Sequence, residues 1–471
     1  MEAFWGTISN AIGVFWGYTW WFWLCIILAP ITANAWLAWR QKKYEHEIKW
    51  SFLEILIPRE ITKSPQAMEQ VFNQIFHLKN WPGDVKEYWW DGEVTLWYSF
   101  EIASLGGEIH FYMRVPTVYR DLIEAALFAF YPDIEIVETE DYMKRYAPTT
   151  AELYRDGMTM WGSELELAKS GAYPLKSYID FESPDEDKQY DPISAFTELM
   201  AKIKPGQMTA IQYLCSPIFG PHDEHTVEEY KKEIIKLRER KHEALSHNGP
   251  SVANRTSFPG GLMPVLELSR QDADPEELGL IKRAVLSRTP GETRTIEAIE
   301  ENLARPMFNV IMRYIYISPT EEYTSHFGRR AMWGAFNQFG DTDLNQLKRN
   351  KLTQSRGKIW EWPILFPRAR YEYRRQKVYN DFRHREIPPH TFFGHLMMSD
   401  TWGTLGRNRP HWLSWGSRFQ HLSTRSLATL FHPPTMMVLT GPHIKRVDSR
   451  KGGPPAGMAI FGDEGNIDKF K

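Results

Sequence analysis

Metal ligation is the first chemistry to test. His222, Asp223, Glu224 and His225 form one cluster of ligand types, and His384, His390 and His395 a looser one. A divalent cation needs three or four such groups converging at fixed distances. Neither set combines i, i+4 helical spacing with a third ligand, so both read more simply as solvated or packed side chains. Serine hydrolysis lacks its G-x-S-x-G elbow. Nucleotide hydrolysis lacks a G-x-x-x-x-G-K-[ST] loop, and Gly452-Gly453-Pro454-Pro455 cannot stand in, because its prolines have no amide hydrogen to offer a phosphate. These absences predict a non-enzyme with no cofactor and no metal.

The charge pattern offers a different chemistry. From Arg329 to Arg385 fourteen Lys or Arg face five Asp or Glu, although the net charge of the whole chain is only −3. Arg368, Arg370, Tyr371, Tyr373, Arg374, Arg375 and Lys377 are the candidate contacts. Basic residues interleaved with aromatics can follow a phosphate backbone and stack bases. The same composition suits an acidic protein surface, an anionic lipid leaflet or a solvated face, and no base-reading motif decides among them.

Those residues fall in a stretch, 346–471, that prolines at 363, 367, 388, 389, 410, 433, 434, 442, 454 and 455 are expected to break into short extended pieces. Upstream, the periodicity is regular. Residues 50–58 read as a strand, 64–77 as a helix opened by Ser64-Pro65, 93–104 and 108–116 as a hairpin about Gly106-Gly107, 118–131 as a helix and 134–137 as a strand. That β-α-β-β-α-β order over 45–145 is the pattern of a ferredoxin-like sandwich. A second round over 146–345 is expected from a strand at 173–181, a helix at 192–203, strands at 208–214 and 308–317, and a helix at 319–339. A helical insertion interrupts it at about 220–304. The predicted class is therefore α+β, with tandem ferredoxin-like domains behind an N-terminal helix.

That helix, in the anchor segment 1–44, is the strongest signal in the chain. Residues 11–39 carry no charge and are followed by Arg40, Lys42 and Lys43. A helix of that length exceeds the roughly 30 Å apolar core of a bilayer. Trp16, Trp20, Trp21 and Trp23 load one half and Trp36 and Trp39 the other, as indoles at head-group depth do, with Trp20 to Trp23 deeper than a belt requires, and Pro30 predicts a kink near its middle. A cleaved secretory signal is the alternative, with Ala33-Asn34-Ala35 as a small-residue cleavage site. Glu2 and the absence of Lys or Arg ahead of the apolar run speak against it. The basic flank then predicts a single-pass protein with its C-terminal domains in the cytoplasm. Cys25 and Cys215 cannot build a disulfide framework.

Several phrases of the chain resemble the membrane-proximal, non-motor region of TraG/HerA-like type IV secretion ATPases from bacteria with reduced genomes. They are FLEILIPRE at 52–60, SPQAMEQ at 64–70, SFEI at 99–102, GEIHFY at 107–112, YPD at 131–133, AFNQF at 335–339, LST at 422–424 with LATLFH at 427–432, and PHIKRV at 442–447 followed by GPP at 453–455. Where the motor would begin, the sequence stops at Lys471 without a phosphate loop. The resemblance implies a non-hydrolysing scaffold in the inner membrane, part of a conjugation or DNA-transfer apparatus. Its partners would be membrane lipid and a separate motor ATPase or channel subunit, and a homo-oligomer is compatible with that role. The alternative is a membrane-tethered nucleic-acid-binding module that uses residues 329–385.

Overall fold

The computed structural model describes residues 2–58, 63–80, 82–182, 190–218, 228–232, 290–351, 353–355, 367–387, 419–435 and 446–447, the side chains of 2–15, 27, 367, 370 and 446–447 excepted. The insertion at 220–304 is thus described only in part. His222–His225, His390, His395, the GPP phrase and most of the PHIKRV phrase lie outside the described residues.

Helix α1 (Glu2–Glu47) runs unbroken through Pro30, and its stretch Trp16–Glu47 is long and apolar enough to cross a membrane. Thr32 Oγ1 donates to Leu28 O at 3.0 Å and Asn34 Nδ2 to Pro30 O at 2.7 Å, side-chain bonds back onto the helix beside the proline. Only Ile48 and Lys49 separate α1 from strand β1 (Trp50–Pro58).

Then follow α2 (Gln66–His77), β2 (Tyr98–Leu105), β3 (Glu108–Pro116), α3 (Arg120–Phe130), β4 (Glu135–Glu138), α4 (Thr150–Arg155) and β5 (Met158–Leu167). After them come α5 (Ser194–Met200), β6 (Met208–Pro217), α6 (Pro290–Leu303), β7 (Met307–Pro319), α7 (Met332–Asn337) and β8 (Leu347–Arg349). The order closes with α8 (Pro367–His384), β9 (Gln420–Ser423), α9 (Thr424–Leu430) and β10 (Arg446–Val447). The strands form one sheet in the order β10-β1-β3-β2-β6-β7-β5-β8, with β4 also on β1 and β9 also on β7. All its pairs are antiparallel except β1 with β10. The two halves meet where β2 pairs with β6 from Tyr98–Cys215 to Leu105–Met208, so the sheet crosses the expected boundary at 145/146 without a break.

Strand alternation divides the buried residues into two layers. One face carries Leu53, Ile55, Phe100, Ile102, Phe111, Ile211, Tyr213, Val310 and Met312. Phe72, Ile123, Phe196, Phe336 and Leu427, from α2, α3, α5, α7 and α9, close over it. The opposite face is covered by Tyr379 and Phe382 of α8, Leu153 of α4 and the short helical turn Tyr142–Arg145.

Four elements differ from expectation. Residues 173–181 contain no strand; the first strand of the second half is β5, whose mid-strand Glu164 and Glu166 hid it from a search for apolar alternation. The helix expected at 319–339 is present but starts later, because β7 continues to Pro319; it runs without a break from Ser325 through a π-helical turn, Phe327–Ala331, into α7. Helices α8, eighteen residues long, and α9 stand where broken extended pieces were expected. Pro367 opens α8 rather than breaking it, since the first helical position needs no amide donor.

Candidate functional site

The base of α1 is locked onto the body. Trp36 Nε1 donates to Trp89 O at 3.0 Å, and the Trp36 ring lies 5.8 Å from Trp90 and 5.2 Å from Trp39. Gly92, at φ +70°, lies against the helix backbone: a Cβ there would meet the Arg40 carbonyl carbon at 2.5 Å. One turn on, Lys42 Nζ sits 3.1 Å from Glu45 and 3.7 Å from Glu386, and Lys43 lies 3.9 Å from Glu47. Tyr44 and Ile48 pack with Trp50, Trp97, Ile311 and Ile387. Part of the basic flank is therefore answered by carboxylates of the protein itself. Trp16, Trp20 and Trp21 are exposed along the helix, as are Trp36 and Trp39.

Beside this junction runs a line of polar side chains on the α8 side of the sheet. Register sets Glu54 opposite Tyr112, Tyr112 opposite Glu101, Glu101 opposite Gln212, Gln212 opposite Arg313, and Arg313 opposite Glu164. One rung thus crosses six strands, and all six residues are buried. Buried charge at this depth is tolerable only when paired and hydrogen-bonded.

The pairing is dense. Arg385 Nε and Nη2 bind Glu101 at 2.6 and 3.1 Å, and Nη1 and Nη2 bind Asp141 at 2.6 and 3.1 Å. Glu101 also accepts from Ser99 Oγ at 2.5 Å, Tyr142 OH at 2.6 Å and Gln212 Nε2 at 3.1 Å. Arg313 Nε meets Glu164 at 2.8 Å, while its Nη1 caps the Asp381 and Glu386 carbonyls at 3.1 and 2.7 Å. His110 Nδ1 lies 2.7 Å from Glu54.

Arg385 occupies the left-handed region, φ +56°, just past the end of α8, where glycine is the usual residue. Its four carboxylate contacts and the bond from Trp97 Nε1 to its carbonyl hold it there. The Arg385 guanidinium is deeply buried, yet Glu101 and Asp141 drive its pKa above the ordinary arginine value. Burial pushes Asp381 up to about 6, against the opposing pull of Lys377 and Arg313.

This arrangement also resolves the basic tract. Arg374 and Arg375 are buried in α8; Arg375 Nη2 donates to Met160 O at 2.9 Å and its guanidinium lies 4.5 Å from the Tyr154 ring. Tyr371 and Lys377 are half-buried, and Arg368, Tyr373 and His384 are exposed. Arg370 lies on the helix, with its side chain outside the description. The sequence reading overlooked Glu54, Glu101, Gln212, Arg313 and Glu164. Their signal was a charged or amide residue in the middle of otherwise apolar strands.

On the opposite side, Asp191 and His432 form a second buried pair. His432 Nε2 lies 2.9 Å from Asp191, His432 Nδ1 2.7 Å from Ala428 O, and Asp191 accepts from the Ile193 and Thr435 amides. Burial alone would raise Asp191, but the His432 charge and these donors hold it down at about 2. A cleft of about 240 Å³ lies between Pro174–Asp180, α6 and α9. Its three arginines are matched by carboxylates: Arg305 with Glu69 at 3.0 Å, Arg425 with Glu301 at 2.7 Å and Arg294 with Asp180 at 3.6 Å. Among the described residues no three His, Cys, Asp or Glu side chains converge as a metal site.

No curated protein matches the chain. Residues 41–359, more than half of the sequence and most of the two-faced sheet, match a family described as a domain of unknown function (DUF8128), and the chain belongs to that family.

Proposed function

We propose that this protein is a membrane-anchored, non-catalytic scaffold, a docking component of a type IV secretion or conjugation-like apparatus. The observation that carries this reading is the join between α1 and the sheet. A long apolar helix passes into β1 through two residues and is fastened at its base by Trp36, Gly92 and Lys42. A flexible linker would let the body swing; this join would hold the sheet at a fixed height and angle to the bilayer. Among the described residues, buried ion pairs on one face and matched arginines in the cleft point to contact geometry as the means of action.

On this reading α1 spans the bacterial inner membrane and the body lies in the cytoplasm. Each half of the sheet is a ferredoxin-like unit, which the matching strand orders β4-β1-β3-β2 and β8-β5-β7-β6 support. The partner is a separate motor ATPase or channel subunit. Both sheet edges end in short strands, β4 with β10 at one and β8 at the other, a form that discourages strand addition, so docking is assigned to the helical surfaces. The nucleic-acid alternative draws on Arg368 and Tyr373, but the inward commitment of Arg374 and Arg375 removes two of its phosphate contacts.

Cross-linking mass spectrometry in native membranes tests the proposal. Cross-links from the cytoplasmic body to a secretion ATPase or channel subunit are expected. Repeated recovery of this chain without either would overturn it.

A further inference from the structure

We propose that the turn preceding β2 is a second membrane contact: Trp89 and Trp90, with Val85, seat in the lipid head-group layer beside the spanning helix. The inference rests on the anchor reading and extends it to a segment remote from α1 in sequence.

The π-helical turn Glu87–Asp91 buries none of its residues. Trp90 is 63% exposed and Val85 77%, and Trp39, on the adjoining helix, is 55% exposed. So large an apolar area in one place marks a contact surface. Its level is fixed by α1. Twenty residues, 16–35, span about 30 Å as a helix, so Trp36 and Trp39 fall where the hydrocarbon ends. The bond from Trp36 to Trp89 O and the ring contact with Trp90 put the turn at the same level.

The chemistry fits lipid. An indole joins a broad apolar ring to one N–H donor, which suits the boundary between acyl chains and head groups. Arg40, whose guanidinium carbon lies 5.7 Å from the centre of the Trp39 ring, stands beside the patch to meet anionic head groups. Two carboxylates near the turn are directed back onto the protein: Glu87 accepts from Gly83 N at 2.7 Å and from Asp84 N, and Glu93 from Asn80 Nδ2 at 3.0 Å. A protein partner with an apolar surface would meet the same tryptophans, but the bilayer that holds α1 is already against them.

The test is spin-label depth measurement on the full chain, with Cys25→Ser, in bilayers of phosphatidylcholine and phosphatidylglycerol; Cys215 is buried and does not label. Labels are placed singly through Leu24→Cys within the span, Trp39→Cys at its end, Trp90→Cys on the turn and Glu108→Cys at the far end of β3. Eight strand steps put Glu108 about 25 Å from Pro116. The expected result is deep immersion at Leu24, head-group depth at both Trp39 and Trp90, and water at Glu108. Adding Gly92→Ala, which forces the turn off the helix, should move the Trp90 label into water and leave Leu24 deep. Water exposure at Trp90 with Leu24 deep would overturn the second membrane contact and leave the anchor standing. Water exposure at Leu24 would overturn both.

Discussion

Phe100 and Glu101 are neighbours on β2, and both are fully buried, yet they are buried by different physics. Phe100 faces the helical layer, its ring 5.0 Å from Phe72 and 5.2 Å from Phe431. Dispersion and release of water hold that side, and the exact partners can vary at modest cost. Glu101 faces α8 and is held by Arg385, Tyr142, Ser99 and Gln212. There each ion depends on its partner, so geometry is strict and a single deletion is severe. The helical face supplies bulk cohesion, whereas the polar face fixes which segment covers the sheet and where α1 joins it.

The largest expected effect is on the polar face. Arg385→Met should cost about 3–5 kcal/mol, because it strands Glu101 and Asp141, and Glu101→Gln in the same chain should recover part of that loss. Denaturant midpoints for the two variants measure it. A single variant costing under about 1 kcal/mol would erase the contrast between the faces. On the helical face Phe100→Ala should cost about 3 kcal/mol through cavity formation, with no second-site charge change able to restore it.

A smaller effect separates the faces by pH. Asp381, held up at about 6, favours folding in its protonated form, so its contribution declines as pH rises from about 4 to 6. Asp381→Asn should therefore stabilise the protein at pH 7.5 by about 1–2 kcal/mol and flatten that slope in thermal melts. Asp191, held down at about 2, acts in the opposite sense: its contribution is present above about pH 4 and is lost as pH falls towards 2. A melting curve of Asp381→Asn that still declines between pH 4 and 6 would assign the slope elsewhere. The smallest effect belongs to the exposed start of α8, where Arg368→Glu should change stability by less than about 0.5 kcal/mol. Arg375→Glu, buried against Met160 and Tyr154, should be far costlier.

The helical face was legible in the sequence for plain reasons. Leu53, Ile55, Phe100, Ile102, Met68, Val71, Phe72 and Ile75 carry the periods of strand and helix, and β1, α2 and β2 follow from them. The polar face obscured its own elements. Glu164 broke the apolar alternation of β5, and Arg374 and Arg375 occupy the inward stripe of α8 with Val378, Tyr379 and Phe382, with Arg385 just past its end, so a largely inward-facing arginine-rich helix read as a surface tract. Hydropathy counts a buried, paired arginine as exposed, and no local pattern reveals that its carboxylate lies 284 residues away. The apolar helix α1 was visible at once; its docking through Trp89, Trp90 and Gly92 depends on a contact 53 residues distant in sequence.

Everything assigned to the rigid join requires α1 to reside in a bilayer. Alkaline carbonate extraction of cell membranes, followed by detection of the full chain, tests this most directly. The intact protein should stay in the membrane pellet, and deletion of residues 16–35 should release it to the supernatant. Recovery of the intact, undeleted chain in the supernatant would contradict the membrane-anchored scaffold.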